Sequence, residues 1–168
     1  DRDGMDAIHV HTVNSTNLPA EALELEYPLM LEEYALVADS AGAGTFRGGL
    51  GMARQLRILA DDTVLSVRSD AHVIPAPGIH GGGASDVTRI LRNPGTDREE
   101  VLHSKASGLV LNAGETIRVE TLGGGGYGAP EGRDLDRLAR DLREGKITRN
   151  VAERDYGVER VVEALQRL

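Results

Sequence analysis

Between residues 6 and 14 the chain alternates: Ile8, Val10 and Thr12 fall on one side, His9, His11 and Val13 on the other. A period of two predicts a strand, and it would bring both imidazoles to one face with their backbones about 7 Å apart. Asn14 to Asn17 break that pattern. Pro19 suits the first turn of a helix, with Thr16 or Asn17 as the cap. Glu21, Glu24 and Glu26 follow, and Pro28 closes the helix. Further strands are expected at 29–37, 52–59, 63–68, 87–92, 101–105, 108–111 and 116–122, with turns at Ala60-Asp61-Asp62, Asn93-Pro94-Gly95 and Asn112 to Glu115.

Two long loops rich in glycine interrupt the strands, DSAGAGTFRGGLG at 39–51 and IPAPGIHGGGAS at 74–85. A third, GGGGYG at 123–128, ends them. Beyond it the period changes from two to about 3.6. Leu135, Leu138 and Leu142 form a helical stripe that Gly145 stops. Thr148 caps a second short helix ending near Tyr156-Gly157, and Val161, Val162, Leu165 and Leu168 mark a third. The expected fold is α+β, with a β-rich glycine-loop body over 1–128 and a helical tail over 129–168.

Composition narrows the chemistry. The 168 residues suit one domain with room for a small appended lobe. The absence of cysteine excludes disulfides, thiolate nucleophiles and cysteine-bound zinc, and fits a reducing cytoplasm. Aromatic residues make up only 3%, so Leu, Val, Ile and Ala must build the core, while 21 glycines imply tight turns or close backbone approach. A net charge of -8 argues against a general nucleic-acid binder. No apolar run approaches the roughly 18 residues of a membrane span. The start, Asp1-Arg2-Asp3-Gly4, lacks Met and enters an ordered pattern at once, so we expect a piece of a longer polypeptide.

Three readings are open for the histidine pair. His9 and His11 could bind a metal with Asp6 or Glu21; His11, Asn14 and Asn17 could line a polar active-site or interface wall; or the stretch could be a strand end and a cap. Gly123 to Gly126 follow a strand and precede a helix, the order of a phosphate-cradling loop, but no Lys-Ser or Lys-Thr follows. A sharp exit from a sheet explains them as well. The 39–51 loop is either a surface Ω-loop or a rim whose Arg47 pairs an anion. His80 is a possible general base or a solvated loop residue. Spacing alone defines no Ser-His-Asp set, nucleophile elbow or carboxylate pair.

Four stretches in order carry a resemblance: HTVNSTNLPAEALELEYP, YALVADSAGAGTFRGGLGMARQLRIL, AGETIRVETLGGGGYGAP and GKITRNVAERDYGV. Together they resemble the C-terminal part of the hydantoinase B/oxoprolinase family. This likeness implies a share in an ATP-dependent enzyme that opens a lactam or hydantoin ring. ATP and Mg are held by an A-type subunit, and the B-type part handles the activated intermediate. A ketone carboxylase of the acetone or acetophenone type, or a non-catalytic assembly module of such a complex, is the alternative.

The same resemblance places His11, Asn14 and Asn17 on the family's H-x-x-N-x-x-N-x-P stretch, near an active site. Arg47, Gly48 and Gly49 match a G-x-G-x-x-R-G-G segment, and Gly123, Gly124, Gly125 and Gly126 a terminal glycine run, as architectural or interface elements. A divalent metal is expected in the N-terminal remainder of the B-type polypeptide and none within this chain. The expected partners are that remainder, the A-type subunit and a small-molecule substrate.

Overall fold

The computed structural model describes residues 2–8 and 17–167. His9, His11 and Asn14, with most of the strand expected over 6–14, lie outside the described residues. A turn at Asp6-Ala7, with Ala7 at φ +54°, ends the described part of that stretch.

Helix α1 (Ala20–Glu26) precedes the edge strand β1 (Leu29–Leu36). Its N-cap is Pro19, with no capping side chain; Asn17 instead donates to the Tyr34 hydroxyl at 2.7 Å. Strands β2 (Met52–Ile58), β3 (Thr63–Arg68), β4 (Arg89–Arg92), β5 (Glu100–Val101), β6 (Lys105–Leu111) and β7 (Thr116–Glu120) follow. They form a five-stranded antiparallel sheet in the order β1-β2-β7-β4-β5 and a two-stranded sheet of β3 and β6. The chain therefore crosses between sheets at the Ala60–Asp62 turn, because β2 is already paired on both sides.

The expected strand over 101–105 does not form. Leu102 turns inward instead, only 4% exposed, and donates its N–H to Ile90 at 2.8 Å. Strand β6 starts at Lys105 and runs through Gly108, whose φ of +72° sits where the β3–β6 register shifts. An extra residue at a left-handed position is a bulge, and it joins what the sequence reads as two strands.

Alternation decides which side each strand buries. Ile58, Ile90 and Ile117 from the large sheet meet Val67 and Leu111 from the small one, so one core lies between the sheets. The second core is helical. Helices α2 (Leu135–Arg143), α3 (Arg149–Tyr156) and α4 (Val158–Leu165) bury Leu138, Ala152, Tyr156, Val161 and Ala164 around Ala43 of the first glycine loop. Full burial of Leu138 or Val161 contributes roughly 1.5–3 kcal/mol each. Asp134 caps α2 by accepting from the Arg137 N–H, and Thr148 caps α3 by accepting from Val151. Among the described residues no helix is long and apolar enough to cross a membrane. The fold is α+β, as the periodicity indicates.

Candidate functional site

Three loops, 39–51, 74–85 and 123–128, meet main chain to main chain. The Gly42 N–H donates to Gly124 at 2.9 Å, Gly124 to Gly49 at 2.8 Å, Gly126 to Gly83 at 2.9 Å, and Gly83 to Ala43 at 2.7 Å. At most of these glycines no side chain fits between strands of backbone this close. A Cβ on Gly48 would overlap the Gly124 carbonyl, one on Gly125 the Pro77 carbonyl, one on Gly126 the Ala43 carbonyl, and one on Gly49 the Met5 carbonyl. At Gly123 it would stand 2.5 Å from the Ser40 carbonyl oxygen. The glycine run thus serves close packing of backbone.

An ion network binds this layer to the helices and to residues 2–8. Arg47 is 4% exposed; its Nη1 lies 3.1 Å from Asp6 and its Nε 3.2 Å from Asp141. Arg133, 2% exposed, grips Asp3 with both Nη atoms at 2.9 and 3.1 Å, pairs Asp141 at 2.5 Å, and has its charge 5.7 Å from the Tyr156 ring centre. Lys146 closes the network on Asp6 at 3.2 Å. Burial pushes the Asp3 and Asp6 carboxyls up, but their cationic and N–H partners outweigh it and hold both below the usual value. The same segment is pinned through its backbone, Gly4 N–H to Arg47 and Ala7 N–H to Leu50.

The anionic groups that meet Arg47 are therefore the chain's own carboxylates, and Asp6 is held by Arg47, Lys146 and the Leu50 N–H. Glu21 is exposed on α1. Among the described residues no group of three or more His, Cys, Asp or Glu could hold a metal. His80 is exposed and stands edge-on to Tyr127, ring centres 5.1 Å apart.

Two cavities reach Ile8 and Asn17, the described residues that flank the stretch 9–16. One, of about 410 Å³, is walled by Met5, Ile8, Leu50, Met52 and Leu122 and floored by Gly49, Gly123 and Gly124. The other, of about 220 Å³, contains Asn17, Leu18, Leu31, Tyr34 and Arg54. Of the residues expected at the site, Asn17 lines the second, and Gly49, Gly123 and Gly124 the first. Spacing does not single out Tyr34 and Arg54, which are cross-strand neighbours on β1 and β2. Only the pairing register places them together.

The chain resembles proteins of known family. Its residues 1–130 match the family described as Hydantoinase B/oxoprolinase. It is 34% identical over 158 residues to the B subunit of a putative D-/L-hydantoinase from a Pseudomonas species, covering 94% of this chain and 26% of that protein. It is 33% identical over 144 residues to the beta subunit of the caprolactamase of Pseudomonas jessenii, covering 82% and 24%. The crystal structure of the ATP-dependent caprolactamase from that organism matches with a TM-score of 0.70 and 32% identity, over 83% of this chain and 25% of its own. A nucleotide-free acetone carboxylase matches with a TM-score of 0.80 over 99% of this chain and 28% of its own, a likeness of fold at 18% identity. The chain spans about a quarter of the length of these two curated relatives. On the family match and these identities together, the chain belongs to the hydantoinase B/oxoprolinase family.

Proposed function

We propose that this chain is the C-terminal part of a B-type subunit that opens a cyclic amide ring, a lactam or hydantoin, at the expense of ATP bound with Mg by an A-type subunit. The observation that carries the reading is the identity above 30% to one hydantoinase and one caprolactamase polypeptide across more than four fifths of the chain. The acetone carboxylase likeness lies below that level and speaks for fold alone.

In this reading the glycine layer is a rigid wall. Gly42, Gly48, Gly83, Gly124 and Gly126 donate their N–H groups to carbonyls of the same layer, so it presents a surface without rotamers to order when a small ring arrives. Ile8 borders one cavity and Asn17 the other. We assign His11 and Asn14, which fall between them in sequence, and Asn17 itself to polar contacts with the reacting amide. Asp3 and Asp6 fasten residues 2–8, which lead into that stretch, and the helical tail supplies Arg133 and Asp141 as their anchor. A divalent metal belongs to the N-terminal remainder of the B-type polypeptide, outside this chain.

The test is turnover by the complete two-subunit complex with His11→Ala and Asn14→Ala. Ring opening should fall in both while the thermal midpoint of the complex is retained. Unchanged turnover in both variants would remove the stretch from the active site.

A further inference from the structure

The arginines of the five-stranded sheet are paired with acids, with one exception. Arg57 meets Glu32, Arg89 meets Asp86, Arg92 meets Glu115, and Arg118 meets Glu33 and Glu120. Arg54 has no acid partner among the described residues, and its Nε is buried with no hydrogen-bond partner there. A buried N–H left without an acceptor is costly, so such a group in a native fold calls for an explanation.

Its neighbours point to one. Arg54 pairs in register with Tyr34, so both project from the same face of the sheet, and both line the cavity of about 220 Å³ that Asn17 also enters. The Asn17 amide donates to the Tyr34 oxygen at 2.7 Å. That bond uses an acceptor site of the phenol and leaves its O–H free to donate. One Asn17 N–H is left over as well. The cavity therefore presents donors: the guanidinium, a phenol O–H and an amide N–H. Its remaining wall is apolar, from Leu18, Pro19, Ala20 and Leu31.

We propose that Arg54, Tyr34 and Asn17 form a binding site for the carboxylate of a small aliphatic molecule. The guanidinium offers the planar fork that a carboxylate fits, and the apolar wall takes a short hydrocarbon body that inorganic phosphate lacks. The proposal deepens the ring-opening reading and rests on it for the source of the ligand. Hydrolysis breaks the amide C–N bond, water's oxygen stays on carbon, nitrogen takes the proton, and the product carries a new carboxylate. The site would hold that carboxylate, or one already present on the ring.

The test is a calorimetric titration of the full-length B-type subunit, wild type and Arg54→Gln side by side, with hexanoate, its neutral counterpart hexanamide, and inorganic phosphate. Hexanoate should bind, hexanamide should bind about ten-fold more weakly or worse, and phosphate more weakly than hexanoate. Arg54→Gln should weaken hexanoate about ten-fold while Arg54→Lys retains part of the binding. Tyr34→Phe, which keeps the ring, tests the phenol donor in a variant with little risk to folding. Equal binding of hexanoate and hexanamide, or no loss in Arg54→Gln, would overturn the site. Tighter phosphate binding would overturn the carboxylate assignment. If hexanoate binds as expected but His11→Ala leaves turnover intact in the complex, the carboxylate site stands and its link to ring opening is lost.

Discussion

Glu115 and Arg92 meet in a two-pronged ion pair, Nε to Oε1 at 2.8 Å and Nη2 to Oε2 at 2.9 Å, where the turn into β7 passes the end of β4. The same carboxylate accepts from the Asn93 side chain at 3.1 Å and the Asn112 N–H at 2.8 Å. It is a buried acid with every oxygen engaged, and it ties the turns of the two sheets together.

Glu115→Gln keeps the shape and removes the charge. We expect a loss of about 2 kcal/mol, the scale of hydrogen bonds to a charged group. A lower urea midpoint at unchanged slope would show it, and an unchanged midpoint would show the pair to be neutral in stability.

Asp141→Asn should cost more, on the order of 3 kcal/mol, because it strips charge from between two buried guanidiniums. Since Arg133 and Arg47 also hold Asp3 and Asp6, amide exchange at Gly4 and Ala7 should rise in this variant before the sheets open. Exchange confined to the helices would show residues 2–8 to be held independently.

Acid should loosen the same contacts. Burial pushes the carboxyls of Asp3, Asp6 and Glu115 up, yet cations and N–H donors hold all three below their ordinary values of 3.8, 3.8 and 4.5. A carboxyl lowered by folding contributes stability that is present above its unfolded value and lost as pH falls through the folded one. Stability should therefore fall from about pH 5 downward, and the fall should be shallower in Asp3→Asn. At the other end Tyr156 is raised above 10.0, mainly by burial, and Lys146 above 10.5, mainly by its bond to Glu144. For Lys146 the contribution is present below its unfolded value and fades as pH rises through the folded one; for Tyr156 the buried phenol must ionise on unfolding, so alkali likewise favours the unfolded chain. Unfolding midpoints measured from about pH 3 to about pH 11 should show both flanks.

The glycine run should be unevenly tolerant. Gly126→Ala sets a methyl against the Ala43 carbonyl, whereas the nearest atom to a Cβ at Gly124 is the Gly49 nitrogen at 3.3 Å. We expect losses of about 1–3 kcal/mol at Gly126, the range for overpacking, and a smaller one at Gly124. Equal losses at both positions would mean that the loops shift as a unit.

How much of this is legible in the sequence depends on the range of the interaction. Strand β1 shows there as a short, largely apolar run between Pro28 and the first glycine loop, and the helical tail because the Leu135-Leu138-Leu142 stripe is a local record of which side is buried. The caps Asp134 and Thr148 act within one turn. Strand β6 reads as two, since Gly108 looks like a boundary until its partner strand supplies the bulge. Arg47 and Asp141 are 94 positions apart, and Arg133 and Asp3 are 130. No spacing rule reaches so far. The family resemblance singles out Asn17 as a candidate, but its neighbours Tyr34 and Arg54 follow from strand register, which composition does not specify. His11 and Asn14 lie outside the described residues.

The backbone-on-backbone layer has a thermal consequence. Unfolding it releases peptide groups to water where an ordinary core would release methyls and rings. Exposed apolar surface raises the heat capacity and exposed polar surface lowers it. With aromatics at 3% and a glycine layer holding the loops, the heat-capacity increment per residue should fall below the typical value of about 12–15 cal/mol/K. The stability curve would then be broad and flat, and this part of the molecule would lose less of its hold on cooling than a core of packed side chains does.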